Sequence, residues 1–208
     1  MKDYVRQSRE HFNGQAAVYD SNTSSYYSGP AKLSCKDAVE YLSGCDFDTL
    51  LDVGCGTGFL IDQLAKIKSA SYYGVDIAEK MLAVAMSKNI KGASFTEGLA
   101  DRLPFTDNSF DVVTCIQSFH HYPDSDKAMQ EVLRVLKPGG VYLLSDTGVG
   151  GIAAWIDNHI LFKILKSGDC HTDNRRGIAK RMERNGFLNV THKQLQGFIY
   201  TVIGHKAK

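Results

Sequence analysis

The chain has 208 residues, which predicts a single domain with room for a sizeable core. Its formal net charge of +1 supplies no broad field for nucleic acid or an anionic membrane surface. No apolar run reaches the roughly 20 residues of a spanning helix, and no apolar stretch follows Met1-Lys2-Asp3-Tyr4 as a signal peptide requires.

In chain order, residues 3 to 20 predict a helix with Val5, Phe12, Ala16, Ala17 and Tyr19 as apolar points. Ser21 to Pro30 is polar and turn-rich, and a helix from Ala31 to Leu42 follows. Thr49 to Val53 is β-branched and aliphatic, as a central parallel strand needs. Glycines at 54, 56 and 58 then bend the chain into a helix expected from Gly58 to Lys68. Ser71 to Asp76 and Phe110 to Ile116 are further strands. Ser125 to Leu136 reads as a helix that Lys137-Pro138-Gly139-Gly140 stops, before a strand over Val141 to Leu144.

Gly148 to Gly151 loosens the chain. Ile152 to Lys166, carrying Trp155, His159 and Phe162, is an amphipathic helix. It reads as a packed surface helix, as a wall of a substrate pocket, or as a membrane or partner helix. Arg175 to Asn185 is a helix closed by Gly186, and its stripe of Arg176, Lys180 and Arg184 reads as a solvated face. Phe187 to Leu195 and Phe198 to Ile203 form an antiparallel strand pair. The cysteines, Cys35, Cys45, Cys55, Cys115 and Cys170, are odd in number and contain no C-x-x-C. They predict neither disulfides nor a zinc site, so no metal ligands are assigned, and they fit a reducing cytoplasm.

The glycine turn carries the chemistry. Free N–H groups of the following helix point back at it and favour a carboxylate or phosphate. A dinucleotide fingerprint needs a third glycine where this chain has Phe59. Asp76 ends the neighbouring strand, where an acid reaches the ribose hydroxyls of an adenosine; it also reads as a helix-start acid.

Asp52-Val53-Gly54-Cys55-Gly56-Thr57-Gly58 has the form D-x-G-x-G-x-G. Glu97-Gly98-Leu99-Ala100-Asp101-Arg102-Leu103-Pro104-Phe105 is followed by Phe110-Asp111-Val112-Val113. Phe12 to Asp20 has the form F-x-x-x-A-x-x-Y-D. In combination, these runs resemble class I S-adenosylmethionine (SAM)-dependent methyltransferases, of the small-molecule type related to ubiquinone and menaquinone biosynthesis. The resemblance implies an α/β, Rossmann-like, three-layer αβα sandwich. Its sheet has seven strands, mostly parallel, with an antiparallel C-terminal strand.

It also implies one methyltransferase domain over 1–208. Residues 1–44 form a helical lid or cap, 45–146 the cofactor-binding core, and 147–208 the substrate-side helices and closing strands. SAM is the implied cofactor, with S-adenosylhomocysteine as product. The implied cofactor-binding residues are Asp52, Gly54, Cys55, Gly56, Gly58, Asp76, Ile77, Met81, Leu99, Ala100, Gln117 and Tyr19. One departure stands out: the family usually has Asp where this chain has Leu99, and Leu99 cannot accept from the adenine amino group. Adenine recognition then falls to the backbone near Ala100, to apolar packing, or to Asp101, which also reads as a solvated loop acid.

Methyl transfer from a sulfonium is an in-line displacement, in which the protein aligns the reactants and excludes water. A base is needed only when the nucleophile carries a proton. His121 and His120, with Tyr122, stand at a strand end facing the ligand crevice and are the catalytic candidates; a hydrogen-bonded surface pair is the alternative for the histidines. The expected partner is a small-molecule methyl acceptor, without nucleic acid or stable membrane insertion, and with room for a homodimer. A SAM-binding protein without catalysis, or an NAD-type oxidoreductase, are the competing readings.

Overall fold

The computed structural model describes residues 3–21, 29–164 and 168–208. The polar segment from Ser21 to Pro30 lies mostly outside these residues, as does the end of the helix expected to run to Lys166.

Seven strands form one sheet: β1 Thr49–Val53, β2 Ser71–Asp76, β3 Ala93–Glu97, β4 Phe110–Ile116, β5 Leu136–Thr147, β6 Leu188–Gln196 and β7 Ile199–His205. Their order is β3-β2-β1-β4-β5-β7-β6. All pairings from β3 to β5 are parallel, and β7 runs antiparallel to both β5 and β6. This is the expected sheet. The antiparallel β7 between β5 and β6 separates it from the all-parallel dinucleotide-binding order 3-2-1-4-5-6.

Strand side chains alternate between faces, so the central strands feed two cores. Leu50, Tyr72 and Val112 pack under α2 (Pro30–Ser43) and α3 (Phe59–Ala65), through Ala38, Leu42, Leu60, Ile61 and Leu64. Their neighbours Leu51 and Val113 pack on the opposite face under α5 (Ser125–Val135) and α8 (Arg175–Arg184), through Met129, Val132, Ile178 and Met182. α1 (Tyr4–Gln15) lies against α4 (Glu79–Ser87), where Ala16, Ala78 and Met81 form a small separate cluster. The Asp3 side chain caps α1 by accepting from Arg6 N at 3.0 Å.

Two of the runs that carry the resemblance hold structural pins. Asp111 Oδ2 accepts from Thr49 N at 2.9 Å and Thr49 Oγ1 at 2.8 Å, locking β1 to β4. Arg134 donates to the carbonyls of Leu103 and Phe105 at 3.1 and 2.8 Å, fixing the Leu-Pro-Phe loop.

Three expectations need correction. Lys137-Pro138-Gly139-Gly140 does not separate helix from strand; it lies inside β5. Leu136 pairs with Phe110 across a register shift, and Gly139 N donates to Lys206 and Ala207 carbonyls while Gly140 O accepts from Lys206 N at 2.9 Å. The breaker residues bulge out of the strand, with Gly139 at φ 78°, and pairing with β4 resumes at Val141. Second, the helix after β5 is not uniform: α6 (Gly151–Ile156) passes through a π turn at Asp157–Leu161 into α7 (Phe162–Ile164). Third, this segment is not a packed surface helix, because Ile152, Trp155, Ile156 and Ile160 are all exposed.

The pairing inside β5 makes Gly140 irreplaceable. A Cβ there would stand 2.9 Å from the Lys137 carbonyl and 3.0 Å from that of Asp111. Gly140→Ala should destabilise the chain by about 1–3 kcal/mol, read as a lower urea midpoint with an unchanged slope.

Candidate functional site

β1, β2 and β4 end together, at the sheet edge where open α/β folds bind ligands. Between β1 and α3, Gly54, Gly56 and Gly58 all take positive φ, at 73°, 51° and 72°. The reasons differ. A Cβ on Gly54 would sit 1.9 Å from Ser118 Oγ, and one on Gly58 would sit 2.9 Å from the Phe95 ring. A Cβ on Gly56 would meet only the Tyr19 ring, at 3.8 Å. The middle glycine therefore faces open space.

Two carboxylates flank this turn. Asp52 is buried, and its Oδ1 accepts from Thr114 Oγ1 at 2.6 Å. Burial pushes it up to about 7; nearby Asp76 adds to the rise and the Thr114 bond opposes it. Asp76 Oδ2 accepts from Gly56 N at 2.8 Å and its Oδ1 from Ala78 N at 2.9 Å. Burial raises it as well, against those backbone donors.

Two cavities meet at Gly54. The smaller, ≈ 40 Å³, is lined by Asp52, Cys55, Gly56 and Tyr19. The larger, ≈ 150 Å³, is lined by Asp76, Ile77, Leu99, Ala100, Asp101 and His121. It is small beside the roughly 300–1,000 Å³ of ligand pockets, because Val5, Ser8 and Phe12 of α1 close its mouth. Of the predicted cofactor residues, Met81 does not reach either cavity: it is fully buried under α1 with Ala16 and Ala78. Gln117 belongs elsewhere too. It sits at φ 50°, with Nε2 donating to Ser34 Oγ at 3.0 Å and Oε1 accepting from Thr147 Oγ1 at 2.9 Å. It lines a third cavity of ≈ 370 Å³ with His120, Asp169, His171, Phe162 and Phe198. The Cys55 thiol is pushed well above its usual range by burial and then by Asp76.

The entry segment packs against the residues of this site. Phe12 packs edge-on against His121 at 5.1 Å, and Tyr19 stands over Gly56. Asp20 Oδ1 accepts from Thr57 Oγ1 at 2.5 Å, and Asp20 pairs with Lys88 at 2.5 Å.

The three catalytic candidates separate. His120 and His121 share a 3-10 turn, Phe119–His121, with ring centroids 4.2 Å apart. His120 Nδ1 lies 2.6 Å from Asp146 Oδ1, and its Nε2 lies 3.4 Å from Asp169 Oδ1. Burial works to lower this imidazole, yet the charge and hydrogen bond of Asp146, with Asp169, hold it above its ordinary value. His121 faces the ≈ 150 Å³ cavity, and burial followed by the neighbouring His120 pushes it down to about 3. The Tyr122 ring lines the same cavity, but its hydroxyl turns inward to the Val53 carbonyl at 3.1 Å and Ser118 Oγ at 2.8 Å. That hydroxyl is a structural contact, not a group aimed at a ligand.

The sequence reading missed Asp169 and His171. Both come from a loop that folds back on His120, whose carbonyl accepts from Cys170 N at 3.0 Å and His171 N at 3.3 Å. Burial and then His120 push His171 down to about 4. The only signal was a polar run after an apolar helix.

A family model described as a methyltransferase domain matches residues 51–144. Over these residues the chain is similar to that family, in line with the resemblance of its motifs. It is 40% identical over 108 residues to a demethylmenaquinone methyltransferase of Chlorobaculum tepidum, an alignment covering 52% of this chain and 44% of that protein. The chain thus spans less than half the length of this relative. Among solved structures, it resembles the methyltransferase in complex with the Trm112 methyltransferase activator of Haloferax volcanii. There the TM-score is 0.81 at 19% identity, covering 97% of this chain and 98% of that one. Phosphoethanolamine N-methyltransferase 2 of Haemonchus contortus, in complex with S-adenosyl-L-methionine, gives a TM-score of 0.81 at 18% identity, over 100% of this chain and 61% of that one. At these identities the likeness is one of fold.

The Asp20 contacts carry a prediction of their own. Asp20→Ala removes the acceptor for Thr57 and the partner of Lys88, so residues 3–21 should detach locally. Limited proteolysis should then cut this segment several-fold faster while the sheet stays protected.

Proposed function

We propose that the chain binds SAM and transfers its methyl group to a small molecule with an apolar body and a heteroatom nucleophile. The observation that carries this reading is the pair of carboxylates, buried Asp52 and half-buried Asp76, flanking a glycine turn whose middle residue opens onto the cavity. In this reading Asp52 and the Gly54–Gly58 turn hold the cationic methionine end. Asp76 accepts from the ribose, and Ile77, Leu99 and Ala100 pack on the adenine, with Asp101 as an acid beside them. SAM supplies an electrophilic methyl on a sulfonium.

The chain's own part is alignment and exclusion of water. α1, with Phe12 and Tyr19, covers the bound ligand as a lid. The ≈ 370 Å³ cavity receives the acceptor, with Phe162 and Phe198 contacting its apolar body. His120, oriented by Asp146, turns Nε2 toward that cavity and orients the nucleophile. His121 belongs to the cofactor side and Gln117 to the acceptor side.

Calorimetry with SAM, S-adenosylhomocysteine and NAD tests the reading, followed by methyl-release assays over a metabolite panel. Both adenosyl ligands should bind saturably and NAD should not; the reverse order would sink the proposal. Asp76→Ala should weaken SAM and S-adenosylhomocysteine alike by at least tenfold, about 1.4 kcal/mol, because both carry the same ribose. A loss confined to SAM would move Asp76 to the sulfonium.

The raised Asp52 gives a pH signature. A carboxyl near 7 in the free chain is partly protonated at neutral pH, and a cationic ligand draws it into the charged form. SAM affinity should therefore fall as pH drops from about 8 to about 6, with proton release on binding, and Asp52→Asn should flatten the dependence. The linkage to stability has the opposite sense. An unfolded Asp ionises near about 3.9, so the ligand-free fold loses stability as pH rises from there toward 7.

A further inference from the structure

We propose that His120 Nε2, His121 Nδ1 and Asp169 Oδ1 form a site for a divalent transition metal, with zinc as the reference ion, in the wall between the cofactor and acceptor cavities. The three donor atoms all lie within 4.8 Å of one another. Asp169 Oδ1 stands 3.4 Å from His120 Nε2 and 3.8 Å from His121 Nδ1. Tetrahedral zinc, with bonds of about 2.0–2.1 Å, needs donor separations of about 3.3–3.4 Å. A shift of a few tenths of an ångström closes the two Asp169 edges, and a modest ring rotation closes the third.

Three independent features prepare these groups to bind a metal. His120 Nδ1 is bonded to the Asp146 carboxylate at 2.6 Å, the arrangement that leaves the far nitrogen of a metal-binding histidine as a lone pair. Asp146 is itself held, accepting from His120 N at 3.1 Å and Thr147 N at 2.7 Å. His121 Nδ1 is buried without a hydrogen-bond partner, although the ring bonds the Gly168 backbone. A buried nitrogen left unpaired is rare in a folded chain, and a metal would satisfy it. The Asp169 loop is pinned to the histidine pair through the His120 carbonyl, which takes Cys170 N, Cys170 Sγ and His171 N.

Two imidazoles and one carboxylate suit zinc and its first-row neighbours rather than magnesium or calcium. Three protein ligands leave a position open, as in reactive rather than structural sites. His120 and Asp169 line the ≈ 370 Å³ cavity, so the open position faces the acceptor. That implies an acceptor hydroxyl or thiol, whose proton passes to water while its lone pair binds the metal, so that His120 Nε2 orients the nucleophile through the metal rather than by direct contact. This role rests on the methyltransferase reading above; metal binding itself does not.

The test is calorimetric titration of chelator-treated chain with Zn²⁺ and no cofactor. One Zn²⁺ per chain should bind. Asp169→Asn and His121→Ala should each weaken binding at least tenfold, and His192→Ala, on β6 outside the site, should leave it unchanged. Circular dichroism melting checks that each variant folds. If Asp169→Asn does not fold, Co²⁺ bound to the parent chain decides: a visible d–d band displaced by Zn²⁺ supports the site, and its absence overturns it. No saturable binding, or binding indifferent to both substitutions, also overturns it. SAM titration of the same sample keeps the two proposals apart. SAM binding without zinc binding sinks the metal site alone, and zinc binding without SAM binding sinks the cofactor reading alone.

Discussion

The end of β2 holds the glycine turn that follows β1, and the site depends on that junction. The Val75 carbonyl accepts from Gly54 N at 2.8 Å and Cys55 N at 3.1 Å, and Asp76 Oδ2 takes Gly56 N. The other oxygen of Asp76 starts α4 through Ala78 N. One carboxylate thus shapes a turn and a helix entry at once. The arrangement places negative charge where water is scarce. Burial and mutual repulsion raise Asp52, and Asp76 rises with burial. A cation placed between two such groups relieves both penalties, so the electrostatics favour a positively charged ligand over a phosphate-bearing one.

Much of this was legible because the signals are local and sit on one stretch of backbone. Gly54, Gly56 and Gly58 demand positive φ, and a strand on one side with a helix on the other leaves one way to build the turn. Paired neighbours such as Leu50 and Leu51 mark a strand buried on both faces, hence a parallel sheet covered by helices. The Phe12, Ala16, Tyr19 and Asp20 pattern was equally readable, since each residue makes its contact within one segment laid across the site.

What escaped the sequence lies where distant segments meet. Lys137 to Gly140 carries strong breaker chemistry, and only the partners at Phe110 and Lys206 reveal that it becomes a bulge within β5 rather than a break before it. Met81 has the spacing of a cofactor-facing residue, but α1 covers that face of α4. Gln117 adopts a left-handed backbone that turns its amide toward Ser34 and Thr147, an orientation no periodicity encodes. Asp169 and His171 come from some fifty residues further along the chain, on a loop without periodic pattern.

The adjacent histidines show how small a difference in placement divides two roles. In a 3-10 turn consecutive side chains point about 120° apart, so neighbours in sequence face different cavities. His120 meets Asp146 and Asp169, while His121 meets Phe12 of α1. The carboxylates lift one imidazole, and the lifted imidazole lowers the other. Their rings remain 4.2 Å apart, so any movement of α1 that shifts Phe12 against His121 reaches His120 through a single contact. Helix α1 and the histidine turn are therefore mechanically joined. The joint lies in a turn of three residues, which Asp146 anchors from β5.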